Sequence, residues 1–218
     1  MEAKFWKERW KEGRHGFHKS EVHPSLLRWA PDILAEGPGN LLVPLAGKSL
    51  DVDWLAREGH QVTAIELSER AVQQFHEENQ RVAEPSSLGS YQAYNSERCR
   101  YLVGDIFDAS PELLGTFDLI WDRAALVALD RPRRIRYAPL LCELLSPGGV
   151  LLLNTFRSPR IPEDGPPHSI EEHEVMSLYG EHCTIELLES ENRIDQETRW
   201  RDMGLTYWIT STWKLTRR

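Results

Sequence analysis

The sequence predicts an α/β fold, a doubly wound, mostly parallel sheet with helices on both faces. Three stretches carry that expectation. Asn40–Glu66 reads as strand, loop, helix, turn and strand. Phe117–Trp121 is an apolar strand with Asp122 and Arg123 at its carboxyl end. Pro132–Leu145, then Ser146-Pro147-Gly148-Gly149, then Val150–Asn154 reads as helix, tight turn and buried strand. Strands alternating with helices in this way build a parallel sheet through crossovers.

Composition sets the bounds. The chain has 218 residues, 40% hydrophobic and 28% charged, which predicts one soluble domain over 1–218. A net charge of −8 disfavours a nucleic-acid surface, which is usually basic. Cys99, Cys142 and Cys183 are odd in number and lack metal-ligand spacing, so a reducing cytoplasmic setting and no metal site are expected. No window is long and apolar enough to span a membrane, and no apolar leader opens the chain. Eight tryptophans exceed what the core needs and suggest aromatic walls around a ligand.

In order along the chain, Ala3–Glu12 is a charged helix bearing Phe5, Trp6 and Trp10, stopped by Gly13 and Gly16. Residues 1–36 then form a helical cover on a sheet edge or a lid, with Trp10 closing a pocket. Pro24–Leu34 is a helix with Leu26, Leu27, Ala30 and Leu34 inward and a kink at Pro31. Gly37-Pro38-Gly39 punctuates the chain before the first strand, Asn40–Leu45. Gly47-Lys48-Ser49 is a loop, Leu50–Glu58 a helix ended by Gly59, and Gln61–Ile65 a strand finishing on Glu66. Ser68 caps a helix to about Arg81, with Ala71, Val72 and Phe75 inward and His76 facing water. Glu84–Ser96 reads as loop and Arg98–Gly104 as strand. In the helix Pro132–Leu145, Ile135, Leu140, Leu141 and Leu144 point inward, and Pro139 is an anomaly. Arg157–His168 is a proline-rich loop, and Ser169 with Glu172 forms a capping box for a helix to Tyr179. Cys183–Leu188 and Leu205–Leu215 are an antiparallel edge pair, joined through Arg199, Trp200 and Arg201.

Glu66 follows Gly47 by nineteen residues, at the end of the next strand. A carboxylate there can accept hydrogen bonds from both hydroxyls of a ribose. Gly47-Lys48-Ser49 is not a phosphate-binding P-loop, because Leu42 stands where that motif needs glycine. A single loop glycine also falls short of the dinucleotide fingerprint. A nucleoside ligand without phosphates remains, of which S-adenosylmethionine is the common one. Asp105 stands just past a strand end, where it contacts adenine or simply forms a turn. Asp122 and Arg123 either face the ligand or pair with each other to order their loop.

Several phrases resemble the thiopurine S-methyltransferases in the same order along nearly the whole chain. They are F-W-K-E-R-W from Phe5, G-F-H from Gly16, P-L-A-G-K-S-L-D-V-D-W-L from Pro44 and G-H-Q-V-T-A-I-E-L-S-E-R-A-V from Gly59. W-D-R-A-A-L from Trp121 and G-P-P-H-S-I from Gly165 complete the set. The resemblance implies a class I, Rossmann-like methyltransferase with a seven-stranded sheet and S-adenosyl-L-methionine as cofactor. It implies cofactor contacts at Trp10, Leu45, Glu66, Asp105, Ile106 and Arg123. The family loop carries Cys where this chain has Ala46, and the animal enzymes carry Arg-His where it has Arg199-Trp200. The expected reaction moves a methyl group to the sulfur of a small thiol or thiopurine. Selenium or tellurium anions and aliphatic thiols are the alternative acceptors, and a non-catalytic SAM-binding protein or a nicotinamide oxidoreductase are the rival classes. Methyl transfer needs positioning more than a nucleophile from the protein. Arg123 and Arg199 are therefore the expected stabilisers of an anionic acceptor, with Phe17 in its aromatic wall. A monomer is expected.

Overall fold

The computed structural model describes residues 3–159 and 166–218. Part of the proline-rich loop, with Pro162 and Gly165, lies outside the described residues. Among the described residues nine strands form one sheet. They are β1 (Asn40–Pro44), β2 (Gln61–Glu66), β3 (Glu84–Leu88), β4 (Tyr91–Ser96), β5 (Cys99–Val103), β6 (Phe117–Arg123), β7 (Leu145–Arg157), β8 (Cys183–Asn192) and β9 (Ile209–Arg217). Their spatial order is β3-β4-β5-β2-β1-β6-β7-β9-β8. From β5 to β7 all neighbours are parallel. β9 runs antiparallel between β7 and β8.

Seven strands were expected, and the described residues contain nine. The seven from β5 to β8 are the expected sheet. The two extra strands are a hairpin, β3–β4, lying antiparallel on β5 over the stretch that reads as loop. Its serines and glycine hide the alternation, yet Tyr91 and Ala93 are buried while Gln92 is exposed. Gly89, at φ +57°, and Ser90 make the two-residue turn.

The helices are α1 (Ala3–Lys11), α2 (Pro24–Ile33), α3 (Leu50–Arg57), α4 (Glu69–Glu78), α5 (Pro111–Leu114), α6 (Arg131–Leu144), α7 (Glu172–Tyr179) and α8 (Thr198–Asp202). Strand alternation divides the core into two layers. Leu41, Val43, Leu119 and Trp121 pack with Leu26 of α2, Leu55 of α3 and Phe75 of α4. Leu42, Ile120, Leu151 and Leu153 pack with Tyr137 and Leu141 of α6 and Val175 and Tyr179 of α7.

Both helices with an internal proline run through it, α2 past Pro31 and α6 past Pro139. Each proline leaves the carbonyl four residues earlier without its helical donor. Those carbonyls belong to Leu27 and Ile135, which are 45% and 57% exposed, so water can satisfy them. Neither residue is the inward one its spacing suggests. His76 departs the other way and is buried. Tyr94 of β4 and Tyr101 of β5 pack their rings 6.0 and 5.7 Å from it, and its Nδ1 bonds the Val72 carbonyl at 2.8 Å. Ser169 does not open a capping box. Its hydroxyl accepts from Ser158 N–H at 3.2 Å, and α7 starts after Glu171 without a side-chain cap.

Candidate active site

The chain leaves β1 toward β2 and β5 on one side, then returns to place β6 on the other side of β1. Open α/β sheets bind ligands at such a switch point, beyond the carboxyl ends of the strands. Four predicted residues converge there: Leu45 after β1, Glu66 at the end of β2, Arg123 at the end of β6, and Trp10 from α1.

The turn after β1 is tight. Leu45 and Gly47 have φ of +48° and +56°. A Cβ on Gly47 would lie 3.0 Å from the indole of Trp10, so glycine is required both for backbone conformation and for this approach. Ser49 then caps α3, accepting from Asp51 N–H at 3.2 Å. Lys48 is buried and bonds Glu78 at the end of α4, Nζ to Oε1 2.5 Å. That lysine joins loop to helix and does not reach toward a phosphate.

Glu66 clasps two loops. Its Oε2 accepts from Gly47 N–H and its Oε1 from Ser68 N–H, both at 2.8 Å. Ser68 is the N-cap residue of α4, but its hydroxyl makes no cap bond, and its backbone N–H serves Glu66 instead. Burial raises the Glu66 pKa, and the N–H groups of Ser68, Gly47 and Leu67 oppose that rise. Each carboxylate oxygen retains a lone pair beyond these bonds.

Alternation sends Asp122 and Arg123 to opposite faces of the sheet. They do not pair. Asp122 is wholly buried on the α6 side, accepting from Leu126 N–H at 3.1 Å and from the Tyr137 hydroxyl at 2.9 Å. Desolvation raises its pKa to about 6. Arg123 turns to the other face, where its Nη1 donates to the Phe17 carbonyl at 3.0 Å. Burial lowers its pKa, against the opposing charges of Asp51 and Glu197.

An aromatic group covers this face. Trp10 is 2% exposed and stacks on His15 at 4.9 Å, and Phe17 meets Trp10 and Trp6 edge-on at 5.6 and 5.7 Å. After β5, Asp105 caps the 3-10 turn Ile106–Asp108 by accepting from Phe107 N–H at 3.1 Å. Its carbonyl accepts from the Tyr91 hydroxyl at 2.7 Å, and Ile106 is buried beside it. Arg199 is exposed on α8, its guanidinium 4.7 Å from the Trp200 ring. Trp200 stacks on Trp208 at 5.1 Å, and Trp208 on Phe156 at 3.9 Å. In α8 it is the N-cap Glu197, not Arg199, whose charge Arg123 feels.

Three residues of the site escape sequence reasoning: Asp51, His23 and Glu197. Asp51 is 3% exposed and joins three elements, accepting from His23 N–H and from Trp121 Nε1, each at 2.8 Å. In the sequence it is an acid in a first helical turn, a common position with an ordinary reason. Its partners lie 28 and 70 residues away.

The fold is one shared with solved methyltransferases. A solved 1,6-didemethyltoxoflavin-N1-methyltransferase from Burkholderia thailandensis, bound to S-adenosylhomocysteine, superposes with a TM-score of 0.62. It is 19% identical, with 99% of this chain and 86% of that one covered. The family model for thiopurine S-methyltransferase matches residues 1–218. A thiopurine S-methyltransferase of Legionella pneumophila (strain Corby) is 40% identical over 88% of this chain and 87% of its own. One from Bordetella petrii is 38% identical over the full length of both. The chain belongs to the thiopurine S-methyltransferase family, and with it to the methyltransferases that use S-adenosylmethionine. Among the described residues, no helix is long and apolar enough to cross a membrane.

Proposed function

We propose that the protein methylates the sulfur of a small thiol or thiopurine, and that the switch-point residues divide between holding the cofactor and holding the acceptor. The observation that carries this reading is Arg123. It is a half-buried guanidinium at the switch point, with one N–H on the Phe17 carbonyl and no carboxylate in ion-pair contact among the described residues. A cation so placed favours an acceptor that reacts as an anion, as a thiolate does. The names of relatives at 40% and 38% identity support a sulfur acceptor.

The residues fit a nucleoside cofactor. Glu66 is a buried acceptor with lone pairs to spare, flanked by the close-approaching Gly47 backbone. In this reading Glu66 holds the ribose hydroxyls, Leu45 lines the methionine side, and Asp105 with Ile106 borders the adenine. Bound there, S-adenosylmethionine supplies an electrophilic methyl group. Arg123 orients the acceptor in line with it and favours the thiolate, Phe17 offers a flat wall, and Arg199 guards the outer edge. The segment bearing α1 acts as a lid that excludes water, while α2 stays packed in the core. Exposed acidic side chains along the outer strand β8, Glu186 and Glu191, discourage pairing of two copies through that edge and support a monomer.

The direct experiment supplies purified protein with S-adenosylmethionine and a panel of acceptors: thiopurines, aryl and aliphatic thiols, and selenite. S-adenosylhomocysteine formation with aryl thiols and thiopurines is expected. Turnover with selenite alone, or with none of them, would reject the sulfur assignment.

The lid gives a separate expectation. A core tryptophan truncated to alanine costs about 3–5 kcal/mol. If α1 opens independently, Trp10→Ala instead lowers S-adenosylmethionine affinity with little change in melting temperature, and cofactor quenches Trp10 fluorescence in the parent. A fall in melting temperature with unchanged affinity per folded molecule would make Trp10 part of the core.

A further inference from the structure

We infer that His23 contacts the methyl acceptor directly, as a neutral Nε2–H donor beside Arg123. This deepens the proposed sulfur methylation and rests on it. His23 precedes α2, and its Nδ1 accepts from Ser25 N–H at 3.3 Å in the first turn of that helix. Nδ1 therefore carries the lone pair and Nε2 the proton. The backbone is equally fixed, since His23 N–H donates to Asp51 Oδ1 at 2.8 Å while Asp51 Oδ2 holds Trp121 Nε1. That carboxylate pins the histidine to the carboxyl end of β6. The imidazole lies 5.4 Å from the Trp121 ring, tilted by 54°. Trp121 and Arg123 share one face of β6 by alternation, so His23 and Arg123 are neighbours on the same side of the sheet.

The charged groups around the ring are Arg123, Asp51, Arg193 and Glu189. Burial, then Arg123, lower its pKa to about 4, with Asp51 opposing. The imidazole is thus neutral at neutral pH, with its proton on Nε2. Among the described residues Nε2–H has no hydrogen-bond partner, and the ring is only partly buried. Every other polar atom of this residue with a described bond serves the fold, and Nε2–H is left for a ligand. A neutral donor next to a guanidinium holds an anionic acceptor by a second point without adding charge, fixing the direction in which its sulfur faces the methyl group.

The two ring nitrogens can be tested separately. Asparagine places an oxygen near the Nδ1 position, and glutamine places its amide nitrogen near Nε2. His23→Asn is expected to keep the α2 cap, the melting temperature and S-adenosylmethionine affinity, while the acceptor KM rises by about tenfold or more. His23→Gln is expected to lower the melting temperature yet keep the acceptor KM within about twofold of the parent. An unchanged acceptor KM in His23→Asn with active parent protein overturns the role of His23 alone. A parent that turns over no sulfur acceptor overturns the sulfur reading itself. A ring proton on Nδ1 at pH 7, detected by nitrogen NMR of labelled histidine, overturns the assignment of the donor without reference to activity.

Discussion

Glu66→Ala is expected to lower both S-adenosylmethionine affinity and fold stability, the largest combined effect of any single change at the site. Two buried backbone N–H groups, on Gly47 and Ser68, lose their acceptor. Hydrogen bonds to charged groups contribute roughly 1.5–3 kcal/mol each. For a chain of this size each kcal/mol shifts the melting temperature by about 2–4 °C. Loss of the ribose contacts adds a fall of about tenfold or more in cofactor affinity. Glu66→Gln separates the two roles. An amide offers one oxygen, so it keeps one loop bond and turns its NH2 toward the other N–H. Calorimetry with S-adenosylmethionine and a thermal melt read the two effects. A lower melting temperature with unchanged affinity would make Glu66 a clasp between loops and remove it from the cofactor site.

Arg123→Met is expected to reduce turnover by about 10²–10³-fold, the range seen when one oriented donor to a developing anion is removed. Arg123→Lys should retain part of the rate, because it keeps the charge but loses the planar fork. The deficit of both should narrow as pH rises past the acceptor's own pKa, since the thiolate then forms unaided. The competing account is a purely architectural arginine. Arg123 does not order its loop by pairing with Asp122, which is committed to Leu126 and Tyr137. What it does hold is the Phe17 carbonyl. If anchoring that loop is its whole role, Arg123→Met lowers the melting temperature and leaves turnover per folded molecule normal at every pH. Thermal melts and pH–rate profiles of the three proteins, with one acidic aryl thiol, distinguish these outcomes.

The sequence carried the central unit because its signals are local. A glycine that closes a helix at positive φ, an apolar strand and a terminal acid lie within one short stretch, and Gly59, at φ +100°, and Glu66 stand where those signals put them. Asp122 and Arg123 were visible as neighbours, but the strand was read as ending at Trp121; β6 runs on through Arg123, so alternation sends the two to opposite faces. Asp51 could not be read, because Trp121 and His23 reach it only through the tertiary fold. His76 failed for a related reason: the hairpin that buries it was itself hidden in a serine-rich stretch. Ile135 and Leu27 fit an apolar helical stripe, yet both are exposed, and each lies four residues before a proline, where its unpaired carbonyl needs water.

The position of β9 sets an order of assembly. It comes later in the chain than β8 but lies between β8 and β7, bonding to both. While the polypeptide is still being synthesised, β8 has no place in the sheet and β7 presents an open edge. That edge is apolar, with Leu151, Leu152 and Leu153 in succession. Premature release before Ile209 would leave the same edge exposed on a free molecule, ready to take a strand from another chain. Such fragments should aggregate, although every residue proposed to hold cofactor or acceptor is already present in them.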